Sequence, residues 1–123
     1  MPFQITREQR GIYKKFSGFV SKTEFLQSVF EAQSDPDYDR LAYSLNDFLA
    51  VSGHDVGTRH VETAAAYALG AELINPKIKI AIVCIDQDIR DLVGRFTAIS
   101  NYPLALFTSV EEARNWLQLM QYA

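Results

Sequence analysis

The sequence predicts an α/β fold: one domain built on a mixed, mostly parallel sheet, opened by an N-terminal β-hairpin and ordered ββαβαβαβα. Three observations carry that prediction. Residues 77–85, Lys-Ile-Lys-Ile-Ala-Ile-Val-Cys-Ile, are too apolar to face water on either side and read as a central strand covered on both faces. Ser21-Lys22-Thr23-Glu24 and Ser109-Val110-Glu111-Glu112 are capping boxes, each followed by an apolar stripe at helical spacing. After the hairpin, strand and helix patterns alternate, and right-handed crossovers between them lay helices on the sheet and make most of it parallel.

Residues 3–6 and 12–16 read as strands joined by Glu8-Gln9-Arg10-Gly11, with Gly11 free to take a positive φ. Ile12, Lys14 and Phe16 share one parity, and the pair is expected near the sheet edge, where lysines discourage strand-on-strand aggregation. The first helix starts at Ser21, with Val20 and Phe25 as a hydrophobic staple and Phe25, Leu26, Val29 and Phe30 as its core stripe. Ser34-Asp35-Pro36-Asp37 ends it. Residues 40–45 read as the next strand, closed by the polar pair Asn46-Asp47, and residues 49–57 as a loop. A second helix follows with a small-residue face of Val61, Ala64, Ala65, Ala68, Leu69 and Leu73, stopped by Asn75-Pro76. Asp86-Gln87-Asp88 puts acidic groups at the positive end of a third helix, whose buried face is Ile89, Leu92, Val93 and Phe96. Residues 104–107 form the last strand, and a C-terminal helix is anchored by Trp116 with Ala113, Leu117 and Met120.

A chain of 123 residues, 48% hydrophobic, can bury a core without disulfides or a structural metal. Its net charge of -3 and lack of any Lys/Arg run argue against a nucleic-acid or anionic-membrane surface. The longest apolar stretch is far short of the roughly 20 residues of a spanning helix. The start has neither a basic nor an apolar leader region, so the expected location is the cytoplasm. Cys84, the single cysteine, lies inside the apolar strand, which points to a core hydrophobe and not to a catalytic thiol.

In an open α/β sheet, strand carboxyl ends and the following helix N-termini form the usual binding rim. Asn46, Asp47, Ser52, Gly53, His54, Asp55 and Thr58 are expected there, with Asp86, Gln87 and Asp88 after the apolar strand and Thr108 and Ser109 after the last. Helix capping accounts for Asp88, Ser109 and Asp55. His54 and His60 with Asp47, Asp55 and Asp86 are suitable donors for a metal or for a His-Asp acid/base pair. Two helical ligands to one metal want a spacing of three or four, so surface or capping histidines are the expectation. Ser52 lacks a Gly-x-Ser-x-Gly context, and no dinucleotide or P-loop glycine motif is present. No catalytic residue, metal ligand or cofactor is assigned.

The order of elements, the strand at 77–85, the Asp86 to Asp88 opening and the ending Phe107-Thr108-Ser109 to Trp116-Leu117 together resemble the STAS superfamily. More narrowly, the chain is similar to small bacterial SpoIIAA-like proteins, also described as STAS/SEC14 domain-containing. The likeness spans essentially the whole chain and is one of pattern, not of catalytic residues. It implies a mixed sheet with an N-terminal strand pair and helices that present a protein-binding face. In the anti-sigma-factor antagonists of that superfamily, a serine at the start of the helix after the third strand is phosphorylated, in an Asp-x-Ser-Gly or similar context. The counterparts here are Ser52, beside Gly53 but preceded by Val51, and Thr58. The SEC14 kinship implies an apolar ligand pocket, with Phe48, Leu49 and Val51 as its lip.

The leading expectation is a non-enzymatic regulatory or protein-interaction module that meets a partner, or a second copy of itself, through residues 47–58 and the second helix. Its binding residues would be Asp47, Phe48, Leu49, Val51, Ser52, His54, Asp55 and Thr58. The alternative is a carrier of a small apolar or lipid-like ligand held between that loop and the sheet. A third reading is a hydrolase or metal enzyme using Asp47, His54 and Asp55.

Overall fold

The computed structural model describes residues 2–122, with side chains to residue 118; the side chain of Met120, expected on the last helix's buried stripe, lies outside those described. Strands β1 (Phe3–Arg7), β2 (Gly11–Val20), β3 (Tyr43–His54), β4 (Lys79–Val83) and β5 (Leu104–Phe107) alternate, after the hairpin, with helices α1 (Lys22–Gln33), α2 (Thr58–Ala71), α3 (Gln87–Thr97) and α4 (Val110–Tyr122). A short 3-10 turn, Tyr38–Arg40, precedes β3. The strands lie in sequence order across the sheet, β1 antiparallel to β2 and every later neighbour parallel. This is the predicted α/β order.

Helices α1, α2 and α3 cover one face, where Ile12, Ala32, Ala68, Ala71 and Ile78 form a buried cluster. Helix α4 covers the other, packing Ala113 and Leu117 on Tyr43, Leu45, Ala81 and Val83. The apolar run is therefore covered on both sides as expected. Its strand is shorter than predicted, residues 79–83, and Ile85 is exposed. The middle of the sheet is β3, with β4 beside it.

The largest departure is the length of β2 and β3. The polar pair Asn46-Asp47 does not end β3, which runs on to His54, and β2 runs on to Val20 beside it. Both polar side chains are satisfied within the sheet: Asn46 Nδ2 donates to Ser44 Oγ at 3.1 Å, and Asp47 accepts from Tyr13 Oη at 2.6 Å and from the Leu49 N–H at 3.0 Å. A buried polar group with partners does not need a strand end. Residues 49–54 are thus strand and not loop. The hairpin pair lies at the sheet edge as expected, with β1 outermost and β2 inside it; Lys15 points to solvent, whereas Lys14 points into the core instead of guarding an edge.

The capping box at Ser21 forms in full, Glu24 N–H to Ser21 Oγ and Ser21 N–H to Glu24 Oε1, both 3.1 Å. Val20 and Phe25 pack together ahead of it. At Ser109 the hydroxyl accepts from the Glu112 N–H at 3.2 Å, while the Glu112 carboxylate takes the Thr108 and Ser109 hydroxyls instead of a backbone N–H. Asp86, not Asp88, caps α3. Small residues on the helices let them sit close, so Ser28 and Ala32 are the buried positions of α1 and Phe30 faces solvent. In α2 the buried set is Val61, Ala64, Ala65, Ala68 and Ala71; Leu69 is exposed, and Leu73 lies beyond the helix end, also exposed. Gly11 is needed for close approach, since a Cβ there would stand 2.6 Å from the Tyr43 ring, and the positive φ falls at Gly18 (67°), beside a register shift in β2.

Candidate functional site

Between the sheet and helices α1 to α3 lies a cavity of about 160 Å³. Its floor is the face of β2, β3 and β4 that carries Lys14, Phe16, Asn46, Phe48 and Ile82, and its roof includes Val29, Ala64, Ala68, Ile89 and Val93. Strand alternation sets that floor: on β2 the parity Ile12, Lys14, Phe16 points up, and Lys14 stands in register beside Asn46 of β3. Phe16 stacks on Phe48, centroids 4.5 Å apart and planes within 9°.

Lys14 is the unusual member. It is 6% exposed, its Nζ sits 5.7 Å from the Phe16 ring centroid, and it has no hydrogen-bond or ion-pair partner among the described residues. Burial pushes its ammonium down to about 8. Sequence parity carried the signal, a lysine between two same-face apolar residues, but reading the hairpin lysines as edge guards hid its meaning.

The expected rim residues divide. Phe48 and Val51 are part of the core under α1 and α3, whereas Leu49 is exposed. Asp47 lies on the opposite face of the sheet, held by Tyr13, whose phenol is raised to about 12 by burial and by that carboxylate. His54 lines the cavity edge: its Nδ1 accepts from the Val56 N–H at 3.1 Å and its Nε2 faces Asp88 at 2.8 Å, so both ring nitrogens are engaged and the strand end is tied to the start of α3. Asp55 accepts from the Lys22 N–H at 2.6 Å and so anchors α1, not α2. His60 Nδ1 accepts from the Gly57 N–H at 2.8 Å, a local cap. Asp47, His54 and Asp55 therefore do not converge on one point. Among the described residues no group of three His, Cys, Asp or Glu side chains is placed to hold a metal ion.

Ser52 lies exposed within β3, whereas Thr58 is exposed at the first position of α2. Cys84 is fully buried, and burial raises its thiol. On the far face a polar network that the sequence did not foreshadow joins α4 to the hairpin turn. Arg114 grips both Glu8 carboxylate oxygens, at 3.0 and 2.8 Å, and Tyr43 donates to the same carboxylate. The Arg114 guanidinium holds the Glu8 carboxyl below its usual range. Among the described residues no helix is long and apolar enough to cross a membrane.

No protein-family model matches the chain, and no curated protein matches it in sequence. Solved structures do. The anti-sigma factor antagonist SpoIIAA in its unphosphorylated form is similar with a TM-score of 0.64 at 12% identity, covering 94% of this chain and 97% of that one. An uncharacterised protein from Shewanella loihica, described as having a SpoIIAA-like fold, is similar with a TM-score of 0.51 at 18% identity, covering 94% and 91%. Identities this low speak to architecture, and in architecture the chain has a SpoIIAA-like α/β fold.

Proposed function

We propose that this protein is a non-catalytic binding module that carries a small apolar ligand in the cavity beneath α1 to α3. The cavity itself carries the reading: about 160 Å³ of space walled mainly by aliphatic and aromatic side chains. A well-packed interior retains few voids larger than a water molecule, and an apolar one of this size takes ligands of about the size of a benzene ring. Toluene titrated into the protein and followed by 1H–15N NMR should shift amides of the cavity floor and of α2, and Ala64→Leu, which fills the roof, should abolish those shifts. No shift in the unaltered protein would sink the carrier reading.

A second reading, a regulated protein contact, is favoured by one observation. Thr58 stands exposed at the N-terminus of α2, the helix after the third strand, where a phosphate would gain from the helix dipole. SpoIIAA, in this fold, is an anti-sigma factor antagonist. Thr58→Glu should change the solution mass or the set of co-purifying proteins seen by light scattering and mass spectrometry; an unchanged profile counts against a switch at this residue.

A further inference from the structure

We propose that Lys14 is the head-group site of the cavity and that the ligand is a small monocarboxylate with an apolar body of about five or six carbons, a short fatty acid in chemical class. The inference deepens the carrier reading and rests on it. Lys14 is placed well inside the protein, and a buried ammonium without an anion or acceptors is costly, so its presence needs a partner. None is supplied from within. No Asp or Glu lines the cavity, and the other titratable groups there are Tyr38, Tyr102 and His54. Tyr38 and Tyr102 hydroxyls meet each other at 3.2 Å, Tyr102 donates to the Asn75 carbonyl, and His54 is engaged by Val56 and Asp88.

No described side-chain nitrogen or oxygen is both fully buried and unpaired, so Lys14 Nζ, which has no partner among the described residues, keeps some accessible surface, and Lys14 lines the cavity. The ammonium thus lacks a protein partner and is accessible to whatever fills the cavity. The surroundings narrow the anion. One cation is present, and the Asn46 amide N–H groups are already directed to Ser44 and to the Ala81 carbonyl, at 3.1 and 3.4 Å. A dianionic phosphate would be met by a single ammonium, whereas a carboxylate is neutralised by one ammonium in a charge-assisted hydrogen bond. The body must then lie along Phe16, Phe48 and the α2 alanines, which offer an apolar wall and nothing to hydrogen-bond. The cavity volume limits its length.

Calorimetric titration of the full chain with hexanoate and with 1-hexanol tests this. The carbon counts match and only the head differs. The unaltered protein should bind hexanoate about tenfold or more tightly than hexanol, and Lys14→Met should lose that preference while still binding hexanol. Equal binding of both probes by the unaltered protein, or a hexanoate preference that survives Lys14→Met, overturns the assignment to Lys14 and leaves the carrier reading standing. Binding of neither probe, with no toluene shift, overturns both. The comparison of two ligands on the unaltered protein decides the matter even if the variant fails to fold.

Discussion

Lys14 shows how one side chain can separate stability from purpose. Its ammonium is depressed from 10.5 to about 8 by burial, so between those values the unfolded chain holds the proton and the folded chain sheds it. Stability from this residue therefore rises with pH across the window from about 8 to 10.5, and below it the full penalty of burying charge applies. The sign follows from the larger number of protons bound by the unfolded state. Lys14→Met should stabilise the ligand-free protein at pH 7 by up to about 3 kcal/mol, with the gain fading from about pH 8 and mostly gone by pH 10. Urea unfolding at pH 7 and pH 10 measures it; a variant less stable at pH 7 would show that the folded ammonium has a partner.

At the scale of elements, what the sequence made legible was local and what it concealed was long-range. Ser21 and Glu24 satisfy each other's backbone within one turn, so the start of α1 could be read directly. Removing that hydroxyl, Ser21→Ala, should lower stability by about 1 kcal/mol, read as a shift in the denaturant midpoint with an unchanged slope. An unchanged midpoint would mean that Asp55, which accepts from the Lys22 N–H, carries the cap by itself. The extent of β3 was not legible, because its continuation through Asn46 and Asp47 depends on Tyr13 and Ala81, which stand on neighbouring strands. The same blindness placed residues 49–54 in a loop and read Lys14 as an edge-guarding lysine when it is buried. Periodicity finds which residues share a face, but it does not say which strand lies alongside, and here that neighbour decides both length and burial.

For the whole molecule, the predicted alternation of strands and helices and its SpoIIAA-like arrangement stand, since they follow from patterning and handedness. The candidate site was only partly visible. Phe48, Val51 and His54 do reach the cavity, yet its cation, its alanine roof and its floor are assembled from four strands and three helices that only the folded chain brings together. The division of the sheet is uneven in consequence: α4 clamps one face through Arg114 and Glu8, while the other face carries three helices over an incompletely filled layer.

That incompletely filled layer also gives the protein a compressibility. Unfilled interior volume is eliminated when a chain unfolds into water, so hydrostatic pressure favours the unfolded state in proportion to it. An occupant of that layer would remove volume on which pressure acts, so adding one should raise the pressure needed to unfold the protein. Occupancy can then be read as a mechanical property of the whole fold, without a label on ligand or protein.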